Sequence, residues 1–524
     1  MKPLSPRPEA STGADSGSKK KKKKVALPAS SRARPRPNPL PPQVPESDIA
    51  PVEGLPTLES LHAKAPSEEE LKVKKGGGRR KKKQARAEGV RSRQGAPLRL
   101  NSLPLSLSLP PSIQALLSKT AILKLNGGLG TSMGLAKAKA LLEVKPGASF
   151  LDLIARQVTH LRSTTGSHVR FILMNSFSTA ADTQAFLTAA GHGDLVSEPD
   201  AELLQNKSPK LEAASLAPIS WPADPDLEWC PPGHGDVYPS LLGSGLLDRL
   251  LAAGVDTLFV SNADNLGATL DLPLLAHFAG SGAPFLMEVA PRTEADKKGG
   301  HLARRASDGR LLLRESAQCR PEDKAAFEDV AKHAFFNTNN LWVNLPALKA
   351  ALDASGVGAL RLPLIKNAKT VDPRDPASPA VYQLETAMGS AIELFDGAAA
   401  VVVPRTRFAP VKTTSDLFVL RSDAYRVTEG STVEPTVSPL PKVDLDAKAY
   451  KLVDDYEALV PAPPSLVGAK SVTVKGAVRF APGTVLKGDV LIVNEGKAVV
   501  DLPAGEYADA VVPLGAEAKV EAAA

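Results

Sequence analysis

The sequence predicts an α/β protein: a largely parallel sheet flanked by helices, a small all-β module behind it, and a disordered basic tail in front. Three features carry that expectation. From about residue 105 to 440, apolar runs of strand length alternate with helix-length segments, the pattern of βα units. The first apolar run opens into "GGLGTSMG", with four glycines in eight positions. Beyond about residue 470, "SVTVKGAVRFAPGTVLKGDVLIVNEGKAVVDLPAG" breaks into short valine-rich strands with no helix between them, as the coils of a β-helix or β-roll do.

Residues 1 to about 100 contain Lys19–Lys24, "RARPRPNPLPPQVP" and "GGGRRKKKQARAEGVRSR". Self-repelling charge and proline bury too little apolar surface to offset the entropy of ordering, so a disordered tail is expected over 1–100. This segment holds 24 Lys+Arg against 10 Asp+Glu, and the rest of the chain has a net charge of −7. The overall +7 is therefore a property of the front, and a body that grips nucleic acid is not expected. The runs Lys19–Lys24 and Arg79–Lys83 leave nuclear import or nucleic-acid contact open beside the reading of a solvated tail. No apolar run reaches the roughly 18–20 residues of a membrane span, and the first residues lack the apolar block of a secretory signal. Cys230 and Cys319 are the only cysteines, too few for a disulfide framework, so a reducing, cytoplasmic setting is expected.

Taken in order, "PPSIQALLSK" reads as a short helix and "AILKL" (121–125) as a buried strand. "SFLDLIARQVTHLR" reads as a helix capped by Ser149 with Asp152, its apolar face formed by Leu151, Ile154, Val158 and Leu161. "VRFILMN" (169–175) is a strand, "TAADTQAFLTAA" and "LLGSGLLDRLLAAG" are helices, and "DTLFVSNADN" (256–265) is a strand. "APFLMEVA", "FFNTNNLWVNL" and "AAAVVVP" supply further strands. The expected divisions are the tail (1–100), a catalytic α/β domain (101–445), and a linker with the β module (446–524). In such sheets ligands sit beyond the carboxyl ends of the strands, where the glycine loop and "SNADN" both fall.

The loop fits none of the generic glycine motifs. Gly134 comes one residue late for the dinucleotide fingerprint, and no Gly-Lys-Ser/Thr closes a P-loop. "GTSMG" has the spacing of a nucleophile elbow but not the helix that must start at its serine. What remains is a backbone cradle for a nucleotide, with Lys139 placed to reach a phosphate. "PPGHGD" holds His234 between Gly233 and Gly235 on a rigid, open backbone. Asp264 follows a strand and suits Mg²⁺, which takes one or two carboxylates and leaves the rest to phosphates and water. "FFNTNNLW" offers Asn337, Asn339 and Asn340 to sugar hydroxyls. "VPRTRFAPVKTTSDL" gathers Arg405, Arg407 and Lys412 as cations suited to polyphosphate.

Together with "KLNGGLGTSMG", "PPGHGDVYPSLLGSGLLD", "FVSNADNLGATLD", "FNTNNLW", "QLETAMGSAI" and "VPRTRFAPVKTTSDL", these residues resemble the eukaryotic UTP–glucose-1-phosphate uridylyltransferase (UDP-glucose pyrophosphorylase) family from about Leu109 to Pro513. The resemblance implies a glycosyltransferase-A-like, Rossmann-like nucleotidyltransferase domain followed by a left-handed β-helix; the sequence leaves the oligomeric state open, with that β-helix as the contact surface a homo-oligomer would use. It implies Mg²⁺-dependent conversion of UTP and glucose 1-phosphate to UDP-glucose and pyrophosphate. By the same resemblance Leu125, Asn126, Gly127 and Gly128 meet the uridine end, with Gln205 and Gly233 on the uracil. Lys139 and Lys412 hold phosphates, and His234 and Asn262 meet the sugar phosphate and ribose. Asp264 takes the metal, and Asn337, Lys369 and Glu385 line the sugar side. Two departures stand out: Lys137-Ala138 where the family has Gly-Pro, which is expected to loosen the loop, and a less aromatic context around Gln205. The alternatives are a pyrophosphorylase for another sugar 1-phosphate, such as an N-acetylhexosamine 1-phosphate, and a catalytically inactive scaffold of the same fold.

Overall fold

The computed structural model describes residues 43–64, 111–135 and 137–515. The basic runs Lys19–Lys24 and Arg79–Lys83 lie outside them. In chain order the strands that matter are β1 (Ile49–Ala50), β2 (Thr120–Asn126), β3 (Arg170–Asn175), β4 (Glu202–Leu204), β5 (Thr257–Asn262) and β6 (Phe285–Pro291). They continue as β7 (His301–Arg305), β8 (Leu311–Arg314), β9 (Phe335–Asn344), β10 (Leu364–Thr370), β11 (Ala380–Thr386) and β12 (Ala399–Val402). The last are β13 (Lys442–Leu445), β14 (Ser465–Lys475), β15 (Val485–Asn494) and β16 (Val511–Leu514).

Seven strands form the central sheet, in the order β12-β6-β9-β5-β2-β3-β4. Every pairing is parallel except those of β9, which runs against both β5 and β6. Because both faces are covered, β2 is apolar at successive positions: Ile122 joins one apolar cluster, and Ala121 and Leu123 join the other. On the first face lies the helix Phe150–Thr165. Its Ser149 Oγ accepts from the Asp152 amide, as the cap signal predicts, and left-handed Gly166 ends it. On the second face lie Val237–Gly243, Leu246–Ala252 and Leu345–Ala354, burying Leu241, Leu250 and Leu348. Burying a side chain of this size contributes about 1.5–3 kcal/mol.

The C-terminal module is a stack of parallel strands: β13 beside β14, β14 beside β15, and β15 beside β16. A second parallel ladder joins Val478–Phe480 to Val500–Leu502. Val472, Phe480 and Ile492 share one apolar cluster with Phe150 and Phe418 of the α/β layers, so the expected 445/446 division crosses a continuous core.

The disordered-tail expectation is corrected for residues 43–64. β1 pairs antiparallel with β7, and the Val402 amide donates to the Pro56 carbonyl. Val52, Leu58 and Leu61 are buried. The physical reason is local: Ile49, Val52, Leu55, Leu58 and Leu61 recur in threes, a pattern hidden when composition is averaged over a hundred charged residues.

Candidate active site

A cleft of about 330 Å³ opens beyond the carboxyl end of β5, and the glycine loop after β2 is not part of its lining. His234, Asn262, Asp264, Asn337 and Lys412, all singled out from the sequence, line it. A larger hollow, about 570 Å³, lies between residues 43–48 and the β7–β8 hairpin. None of the candidate residues lines that one, and its Arg305 and Glu393 pair with each other at 3.0 Å, so the chemistry belongs to the smaller cleft.

The glycine loop leaves β2 with its torsions set by close neighbours. A β-carbon on Gly127 would run into the Gln205 carboxamide, whereas one on Gly128 would meet nothing within 4 Å. Gly127 is thus a packing requirement and brings Gln205 to the loop, and Gly128 presents bare backbone to open space. The Lys139 amide donates to the Gly128 carbonyl at 3.2 Å, and Leu129 bridges Ala138. Lys137-Ala138 therefore does not leave the loop untethered; Ala138 is buried and Lys137 is exposed. The Leu125 carbonyl accepts from the Ala263 amide, and the Asn126 carboxamide donates to Asn175 Oδ1 and Thr183 Oγ1. The side chain of Asn126 is spent on joining strand ends.

His234 sits in a short 3₁₀ turn, His234–Asp236. Gly233 ahead of it has φ of +83°, and a β-carbon there would come within 2.6 Å of the Thr386 carbonyl, so only glycine fits. The same approach sets Gly233 beside Glu385 at the end of β11. His234 Nδ1 accepts from the Met388 amide at 3.0 Å, which leaves Nε2 as the protonated nitrogen. Burial pushes its pKa down to about 4, so at neutral pH the ring is an uncharged donor.

Asp264 lies just past β5 and lines the cleft; its Oδ2 accepts from Lys139 Nζ at 2.8 Å, and both side chains are partly exposed. Lys412 also lines the cleft, its Nζ 5.7 Å from the Phe408 ring and, among the described residues, without a carboxylate partner.

The three cations of the Arg405–Lys412 segment do not act together as expected. Arg405 pairs with Asp296 at 2.8 Å. Arg407 is buried against Glu288, Nε to Oε2 at 2.7 Å and Nη2 to Oε1 at 2.8 Å. Only Lys412 of the three is left for a ligand. Glu288 is fully buried and also accepts from Asn340 Nδ2 and Trp342 Nε1, so Asn340 belongs to this anchor and not to the cleft. Asn265 completes the tie, donating to the Arg407 carbonyl and accepting from the Ala409 amide. One network thus fixes the turn that carries Asp264 to the turn that carries Lys412. Beneath it, burial lowers the pKa of Lys124 to about 7, and its Nζ donates to Ser261 Oγ and the Ala268 carbonyl.

Asn337 and Asn339 do line the cleft, hydrogen-bonded to each other across a left-handed Asn339 with φ of 61°. This is the bulge where β9 slips against β6, a device that re-aims side chains at sites. Lys369 is not brought to the cleft. In the β10–β11 ladder Ile365 faces Glu385 and Lys369 faces Val381, so Lys369 is four residues, about 13 Å, further along an exposed arm.

Sequence reasoning missed Glu315, which lines the cleft with its pKa raised by burial, and Phe336 and Phe408, whose rings meet edge-on at 4.8 Å. It also missed Asp236, which accepts from the Asn206 amide and side chain and so holds the Gln205 segment to the His234 turn. Of these, only Asp236 carried a signal, through its place in "GHGD".

Comparison with known proteins points to one family. A family model described as UTP–glucose-1-phosphate uridylyltransferase matches residues 82–487. The chain is similar to proteins of that name from Saccharomyces cerevisiae, at 42% identity over 78% of this chain and 81% of the relative, and from Hordeum vulgare, at 40% over 76% and 83%. Among solved structures it resembles a Trypanosoma brucei UDP-glucose phosphorylase, with TM-score 0.76 and 44% identity over 90% of this chain and 92% of that one. A Leishmania major UDP-glucose pyrophosphorylase variant, solved with UDP-glucose, matches with TM-score 0.75 and the same identity and coverage. The chain belongs to the UTP–glucose-1-phosphate uridylyltransferase family.

Proposed function

We propose that this chain transfers the uridylyl group of UTP to glucose 1-phosphate with Mg²⁺, giving UDP-glucose and pyrophosphate. The observation that carries the reading is that Asp264 and Lys412 line one cleft at the carboxyl end of β5, with Lys139 held to Asp264 by an ion pair of 2.8 Å. The sheet order distributes the substrates. Gly127, Gly128 and Gln205 belong to the β2–β4 side and take the nucleotide. Asn337, Asn339 and Glu315 belong to the β8–β9 side and take the sugar. Asn262 and Asp264 stand between, at the end of β5, where the two phosphates must meet.

The reaction needs no base, because the attacking phosphate oxygen of glucose 1-phosphate is already an anion. That oxygen bonds to the α-phosphorus in line, the bond to the bridging oxygen breaks, and pyrophosphate leaves with the electron pair. The barrier is the repulsion between anions, so positioning and charge neutralisation supply the catalysis. Lys139 and Lys412 provide ammonium groups to the phosphates, and neutral His234 donates from Nε2. Asp264 fits Mg²⁺ because, among the described residues, its Oδ2 accepts from the Lys139 ammonium alone and its Oδ1 takes no hydrogen bond, and Mg²⁺ needs only one or two protein carboxylates beside phosphates and water. When bound there, the ion supplies further screening of phosphate charge.

We read the parallel coils of β13–β16 as a left-handed β-helix whose outer face serves self-association, supported by the exposed Val467, Val499 and Val511. A pyrophosphate-release assay with UTP, glucose 1-phosphate and Mg²⁺ tests the function. Turnover only with an N-acetylhexosamine 1-phosphate would move the assignment to a sister activity, and no turnover at millimolar substrate would favour an inactive scaffold.

A further inference from the structure

We propose that Glu46, ahead of the residues matched by the family model, is a positioning residue that holds the sugar-side wall of the cleft for glucose 1-phosphate. The inference rests on the reading above, since it takes Glu315, Gly299 and Gly300 as the sugar end.

Glu46 begins a short turn, Glu46–Asp48, that leads into β1. Its Oε2 accepts from Arg314 Nη1 at 2.6 Å, and its Oε1 from Lys332 Nζ at 2.7 Å and His333 Nε2 at 2.9 Å. Its amide donates to Asp323 Oδ2, which also takes Arg314 Nη2 at 3.2 Å. Arg314 has no exposed side-chain surface and closes β8. The next residue, Glu315, enters the cleft, its carboxylate so close to Gly300 that a β-carbon there would lie 2.5 Å away. Gly300 in turn leads into β7, whose first residue, His301, stacks on His333 at 3.9 Å.

One carboxylate therefore fixes both ends of the β7–β8 hairpin where they meet the cleft: through His333 to the Gly299–Gly300 side, and through Arg314 to Glu315. Burial opposes its ionisation, but hydrogen bonds from Lys332, His333 and Arg314 hold its pKa at about 2, so the charge is present at any working pH. Without it Arg314 keeps only the longer contact to Asp323, and the hairpin loses its fixed relation to Glu315. Among the described residues, no hydrogen bond or ion pair of this cluster reaches Gly127, Gly128 or Gln205.

Steady-state kinetics on the full chain test this with Glu46→Ala, Glu46→Gln and Glu46→Asp. The expected result is a roughly tenfold rise in KM for glucose 1-phosphate with Glu46→Ala and Glu46→Gln, as a small misplacement of a positioning wall produces. KM for UTP should stay within twofold, and Glu46→Asp should recover most of the loss. Unchanged KM values overturn the proposal. So does a parallel rise in both KM values with a fall in Tm, which marks a merely structural residue. If Glu46→Ala does not fold, the isosteric Glu46→Gln is read by the same criteria. Glu315→Gln separates the two layers of the argument. If it also leaves glucose 1-phosphate binding untouched, the sugar-end assignment fails; if it raises that KM while the Glu46 variants do not, only the present inference fails.

Discussion

Two adjacent glycines do different work in the loop after β2, and a methyl group distinguishes them. Gly127 is pressed against Gln205, whereas Gly128 faces open space with ordinary backbone torsions. Gly128→Ala should therefore change stability by no more than about 0.5 kcal/mol while raising KM for UTP at least roughly tenfold. Thermal melts and UTP titrations read both; an unchanged KM would show that no nucleotide lies against that backbone. His234 gives a second prediction. With its pKa at about 4, its ring should show no titration between pH 5 and 8 by NMR, and an inflection near 6.5 would remove the neutral-donor role. Such residues stood out in the sequence because their features are local: a glycine in unhindered backbone, or a carboxylate at a strand end. Whether a cation is free is not local. Arg407 and Lys412 look alike in "RTRFAPVK", and only the distant Glu288 separates an anchor from a ligand.

At the scale of elements, the Glu288–Arg407 pair decides how the Asp264 and Lys412 turns sit. Arg407→Met would leave the Glu288 charge buried with Asn340 and Trp342 alone, at a cost of about 3–5 kcal/mol in urea unfolding. Glu288→Leu combined with Arg407→Met should recover much of that, because no charge is then stranded. A double variant as unstable as the single one would show that shape, not charge, holds the segment. The helices and strands of the α/β core followed from period and capping, as with Ser149 and Gly166. The bulge at Asn339 and the β10–β11 register were invisible, since both are properties of pairing. That is why Lys369, on the strand paired with that of Glu385, lies away from the cleft.

For the whole molecule, residues 43–64 belong to the folded unit. Deleting residues 1–42 should leave kcat and both KM values within about twofold, whereas deleting 1–64 removes Val52, Leu58 and Leu61 from the core at about 1.5–3 kcal/mol each. Equal behaviour of the two truncations would contradict that packing. Acid stability follows from the buried histidines. Burial holds His234 at about 4 and His301 at about 3, and lowers His333, so the unfolded chain takes up their protons first, near its ordinary 6.5. Their contribution is full above about pH 6.5 and is lost as pH falls toward 4 and 3. Below about 4.5 the Glu46 carboxylate adds a second loss, down to about 2. Urea midpoints should therefore be flat above pH 7 and fall continuously below 6, and a midpoint that rises on acidification would contradict the burial.

The claim on which the mechanism stands is that ammonium groups and a divalent ion let two phosphates approach, and Lys412 isolates it because, among the described residues, its ammonium has no carboxylate partner to lose. Single-turnover rates of Lys412→Ala with saturating UTP, glucose 1-phosphate and Mg²⁺ measure its share. The account predicts a fall of roughly two to three orders of magnitude with substrate KM values little changed. A normal rate at saturation, with only KM raised, would mean that Lys412 binds substrate without easing the transfer.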